Sequence, residues 1–103
     1  MNGFDIETIN PGVRKLVQLL RDLGFATTDS GDGVTNVEAG MEGALDIPHV
    51  FMKVNHEREA NRLMTFLGIE RVRIEPGMIQ YSYDPSDGSR ILALYGVSDK
   101  DLP

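Results

Sequence analysis

The chain has no cysteine and no tryptophan. Without thiols there can be no disulfide staple and no thiolate metal site, which fits a reducing compartment. No apolar run approaches the roughly 20 residues needed to cross a bilayer, so no membrane span is expected. The start, MNGFDIETINPG, lacks the basic and apolar segments of a signal peptide. Positive charge is scarce: 10 Lys and Arg stand against 16 Asp and Glu, a formal charge of −6. The bases are scattered rather than clustered, and an acidic surface repels the phosphate backbone, so direct nucleic-acid binding is not expected. A basic protein partner, a cation or a small ligand is compatible with that charge. Also missing are the Gly-Lys-Ser/Thr phosphate loop, HExxH, GxSxG and the dinucleotide GxGxxG.

What is present amounts to one domain. The chain has 103 residues, 41% of them apolar, enough for one core. Asn10-Pro11 reads as a helix start, with Asn as N-cap and Pro at the first helical position. Val13, Leu16, Val17, Leu20 and Leu23 follow at helical spacing, and Gly24 suits the left-handed stop. Residues 1–9 read as an extended arm carrying Phe4 and Ile6. A second helix runs from an Asn55 cap to about Leu67, ended by Gly68. Strands are expected at Phe25–Asp29, His49–Val54, Glu70–Glu75, Met78–Tyr83 and Arg90–Val97, from period-2 alternation or continuous apolar character. LLRDLGF (Leu19–Phe25) echoes LMTFLGI (Leu63–Ile69), each a helix, a Leu-Gly stop and a strand. The tail, Ser98–Pro103, is polar and reads as loose. The expected fold is α+β in αββαβββ order, two helices packed on one face of a mostly antiparallel sheet of about five strands.

Three polar stretches stand out. TTDSGDG brings Thr28, Asp29, Ser30 and Asp32 into a glycine-loosened loop, at the head of a connection over residues 30–47 that is long for a compact domain. Met41, Leu45 and Ile47 read as a helical turn folding over that loop as a lid. If strands 25–29 and 49–54 pair as a wide hairpin, His49 lies near Asp29 at the loop's mouth, and a His–carboxylate pair can hold a metal or move a proton. DPSDGSR adds Asp87 and Arg90, with Arg90 as an anchor for an anion if the two loops meet. Tyr81, Tyr83 and Tyr95 form either core packing or a sticky sheet face, which would favour a homodimer.

The runs NPGVRKLVQLLRDLGFATTDSGDG, IPHVFMKV and SYDPSDGSRILAL resemble a set of small bacteriophage and prophage proteins of uncharacterised activity, TTDSGDG being the most specific part. That resemblance implies a phage origin and expression in the host cytoplasm, and it carries no catalytic residue with it. A weaker similarity is to small domains with a T-T-x-S-C-x-G strand-loop, in which Gly31 here replaces the cysteine. The leading expectation is a non-enzymatic accessory protein that engages a host protein or a small ligand through Thr28, Asp29, Ser30, Asp32 and His49, with Asp87 and Arg90 framing the site. The alternatives are a metal-dependent hydrolase or nucleotide-processing enzyme using loop carboxylates and His49, and an assembly module that self-associates through its sheet. No cofactor or metal identity follows from the residues.

Overall fold

The computed structural model describes residues 5–103. Phe4 lies outside them, and Ile6 sits in a short 3-10 turn, Ile6–Thr8, rather than an extended arm. A 3-10 turn at Pro11–Val13 leads into helix α1, Arg14–Asp22. Strand β1 spans Ala26–Gly31, a single-turn helix α2 Thr35–Glu38, and β2 His49–Val54. Helix α3 follows at Glu59–Ile69, then β3 at Ile79–Tyr83 and β4 at Arg90–Tyr95. The fold is α+β, with two main helices and one four-stranded antiparallel sheet in the order β1-β2-β4-β3.

The apolar alternation of the two central strands decides where the core sits. Val50 and Met52 of β2, and Leu92 and Leu94 of β4, are fully buried in one cluster with Leu16, Val17 and Leu20 of α1 and Leu63 and Leu67 of α3. Register pairs Val50 with Leu94 and Met52 with Leu92, so these side chains share one face of the sheet. The alternate residues, His49, Phe51, Lys53 and Tyr95, therefore project from the opposite face. The tyrosines divide: Tyr81 and Tyr83 pack edge to face, 5.8 Å apart, on the helix side of β3. Tyr95 stands on the other face, 5.8 Å from the Phe51 ring.

Both main helices end in the same hydrogen-bond pattern. At α1 the Phe25 N–H donates to Leu20 O (3.0 Å) and Gly24 N–H to Arg21 O (2.9 Å). At α3 the Val72 N–H donates to Leu67 O (2.8 Å) and Arg71 N–H to Gly68 O (3.0 Å). These are Schellman closures, in which the residue after the cap turns left-handed and the next buries an apolar side chain. Gly24 takes that position at φ 92°, but in α3 the residue is Arg71, at φ 62°. The Leu-Gly echo is thus out of step with the structure: Gly24 stops its helix, whereas Gly68 lies inside α3.

This closure also explains why Glu70–Glu75 is not a strand. Val72 is spent plugging the helix end, and Arg71 has left the extended region. The sheet has four strands rather than five.

A left-handed non-glycine residue costs on the order of 1 kcal/mol. Arg71→Gly should therefore stabilise the fold by ~0.5–1 kcal/mol. Gly68→Ala should add a similar amount, because a Cβ there meets only open space and alanine favours the helix. Urea midpoints measure both; a midpoint lowered by Arg71→Gly would contradict the first.

Two further boundaries differ. Asn55 does not cap α3, which begins at Glu59 with no side-chain cap. The tail is anchored rather than loose: Val97 is buried, Leu102 nearly so, and a 3-10 turn at Asp99–Asp101 carries a reciprocal Ser98–Asp101 capping box.

Candidate functional site

TTDSG is strand rather than loop. Asp29, Ser30 and Gly31 pair with Phe51, Val50 and His49. Thr28 is the extra residue of a β-bulge, and its hydroxyl donates to Phe51 O at 3.4 Å. The bulge shifts the parity of the strand by one, which places Asp29 on the same face as Phe51. The expected wide hairpin of β1 and β2 is present, and it brings Asp29, Ser30 and His49 to one end of the sheet.

The connection from Asp32 to Pro48 folds over that end. Its base is pinched where Gly33, at φ 80°, lies against the Ile47–Pro48 backbone; a Cβ on Gly33 would come within 2.9 Å of the Ile47 carbonyl carbon. The single-turn helix falls at Thr35–Glu38, not at 41–47, so the expected helical lid is absent. Met41, Leu45 and Ile47 are instead part-exposed. Met41 and Leu45 line a groove of 530 Å³ between the connection and the open sheet face. Asp29, Ser30, Glu42, His49, Phe51 and Tyr95 complete most of its wall.

His49 is the most enclosed polar residue of the groove, at 7% exposure. Its ring lies 5.2 Å from that of Phe51 and directly over Gly31, where a Cβ would meet Cε1 at 2.6 Å. Glycine at 31 is therefore what lets the imidazole lie flat. His49 Nδ1 is 3.0 Å from Ile47 O. A carbonyl oxygen only accepts, so Nδ1 carries the hydrogen and Nε2 of the neutral ring is left as an acceptor. Nε2 has no hydrogen-bond partner among the described residues.

Asp32 does a different job. Its Oδ1 accepts from the Val34 and Thr35 N–H groups (2.9 and 2.7 Å), and Oδ2 accepts from the Thr35 hydroxyl (2.7 Å) and Gly12 N–H (3.2 Å). Partial burial pushes this carboxyl up, but the bonds from Thr35, Val34 and Gly12 outweigh it and hold the pKa at about 2. Asn10, expected to cap α1, accepts the Asp32 N–H at 3.2 Å through Oδ1 instead. Asp32 thus ties the connection to the start of α1 and does not line the groove.

Asp87 and Arg90 do not join the site. Arg90 pairs with Val54 and Tyr95 with His49, so the two ends of β4 stand about 17 Å apart. Asp87 accepts from the Ser89 N–H (2.9 Å) and faces Lys53 Nζ at 3.6 Å, while Arg90 lies over the Tyr83 ring. Among the described residues, no three His, Asp or Glu side chains gather as a metal site would require.

Sequence reasoning missed Glu42, Phe51 and Tyr95. Phe51 was readable, since it alternates with the core residues Val50 and Met52. Tyr95 was not, because its pairing with His49 needs the strand order. Comparisons with protein-family models, curated proteins and solved structures gave no match. Among the described residues no helix is long and apolar enough to cross a membrane.

Proposed function

We propose that the protein is a non-enzymatic binding module, of the phage-accessory kind its sequence resembles, which holds a cationic, hydrogen-bond-donating group of a host protein or small ligand in this groove. One observation carries the reading: the charge of the groove runs one way, although Asn36 and the Ser30 and Tyr95 hydroxyls add donors. Its two charged lining residues, Asp29 and Glu42, are both acidic, and no lysine or arginine lines it. With Nδ1 bonded to Ile47 O, the neutral tautomer of His49 adds an acceptor nitrogen. Phe51 and Tyr95 supply flat apolar walls, against which a guanidinium plane stacks well. The ligand class that matches acceptors and aromatic faces together is an arginine-bearing segment.

The test is an NMR titration of the protein with a short arginine-containing peptide, beside the same peptide with glutamine replacing arginine. The arginine peptide should shift the amides of residues 29–31, 41–45 and 49–51. The double variant Asp29→Asn, Glu42→Gln should weaken it by about 10-fold, the effect of losing ~1.4 kcal/mol. Equal binding of the glutamine peptide, or shifts clustered away from the groove, would remove the reading.

A further inference from the structure

The two edges of the sheet are built differently. Edge strands invite pairing with another chain, and proteins blunt them with bulges, charges or prolines. The β1 edge has a bulge at Thr28 and a charge at Asp29. The β3 edge has none of these: Gly77–Tyr83, GMIQYSY, carries no charge and no proline, and its register against β4 is unbroken.

Its backbone groups are also in place. Tyr95 N–H donates to Met78 O (2.7 Å) and Asp84 N–H to Ser89 O (2.8 Å). Antiparallel ladders alternate, so residues 78, 80, 82 and 84 point their main-chain groups inward to β4. Ile79, Tyr81 and Tyr83 point theirs outward, where they meet no partner among the described residues. Tyr83 is 60% exposed.

We infer that β3 pairs antiparallel with β3 of a second copy about a twofold axis at Tyr81, joining two sheets into one of eight strands. The sequence is complementary to itself in this register and no other partner is needed. Ile79 falls opposite Tyr83 of the partner subunit, Tyr81 opposite its own equivalent, and Gln80 opposite Ser82 of the partner subunit. Each of these pairs shares a face, apolar or aromatic on the helix side and polar on the other. All the outward residues fall at hydrogen-bonded positions, which gives six main-chain bonds. The absence of charge on the strand lets two acidic molecules meet here without a like-charge clash, and Arg90 beside Tyr83 adds a cation near the seam. Such an edge contact is small, so a weak dimer is expected, with Kd roughly 10–500 μM. This inference does not depend on the groove.

Light scattering after gel filtration should show the mass rising from 11.4 kDa towards twice that value as concentration increases through this range. Amide exchange at Ile79, Tyr81 and Tyr83 should slow in a millimolar sample, by about 2-fold at the weak end of this range and about 10-fold at its tight end, because exchange then proceeds through the remaining monomer. Tyr81→Lys should abolish both effects by opposing two charges on the axis. Because Tyr81 also packs on the core, Tyr83→Lys is the companion variant; it changes a mostly exposed side chain and should weaken the dimer at least ~10-fold while leaving the far-UV spectrum intact. A monomer at millimolar concentration overturns the inference. So does a dimer that survives Tyr83→Lys with the three amides unprotected, or an edge that takes up only extended peptides and never its own copy.

Discussion

Asp32→Ala should cost about 2–3 kcal/mol at pH 7 and flatten the acid limb of the stability curve. The carboxylate accepts four hydrogen bonds, three of them from backbone N–H groups that no other side chain serves. One loss is the pair of bonds to the Val34 and Thr35 N–H groups that lead into the single-turn helix, worth ~1 kcal/mol, and the other is the tether to Gly12, a charge-assisted bond of ~1.5 kcal/mol or more. The pH dependence follows from the depressed pKa. Folding keeps the proton off this group, so the stability it contributes is complete above its unfolded value of 3.8 and is lost as pH falls through about 2. Allowing for solvent screening, the wild type should shed on the order of 1–2 kcal/mol from this residue between pH 4 and pH 2. Denaturant melts of both proteins at pH 7, 4 and 2 measure this. Parallel curves down to pH 2 would show that Asp32 is not the group responsible. Gly12→Ala attacks the same contact from the other side, since its Cβ would sit 2.7 Å from Asp32 Cβ. Its cost should overlap with that of Asp32→Ala rather than add to it.

Asp99→Ala should lower stability by ~2 kcal/mol, about 10 °C in melting temperature for a domain of this size. Asp99 reaches from the far end of the chain to the start of α1, where Oδ2 accepts the Lys15 N–H (2.9 Å) and Oδ1 the Leu16 N–H (2.7 Å). It is the cap that Asn10 was expected to provide. A carboxylate at a helix N-terminus also meets the positive end of the helix dipole. Truncation frees two N–H groups and loosens the turn that holds Leu102 in the core. Asp99→Asn keeps one acceptor oxygen and should lose about half as much. A melting temperature for Asp99→Ala within ~2 °C of the parent would show that the tail is not what starts the helix.

These two aspartates mark the limit of sequence reading. Each has a local explanation that is plausible and incomplete. Asp32 looked like a ligand residue in a glycine-rich loop, and Asp99 like part of a frayed tail. Local pattern predicts well where the burial of many side chains repeats one message. The stripe of α1, the alternation of His49–Val54 and Met78–Tyr83, and the apolar run of β4 are such cases, and the β1–β2 hairpin followed from them. Pattern fails where a single polar group chooses among several partners, because the choice depends on what the fold brings near it.

Residue pattern alone was enough for the α+β class, the two main helices, most of the sheet and its apolar face, and for placing Asp29 and His49 at the same end of a hairpin. These rest on hydrophobic periodicity, which many residues state at once. Tertiary structure alone decided that TTDSG extends the sheet, that Val72 plugs a helix instead of starting a strand, and that Tyr95 joins His49 and Phe51 while Arg90 stands at the far end. Those outcomes depend on strand order and on contacts between residues far apart in the chain, where the energy gained by one bond selects between arrangements that are locally equivalent.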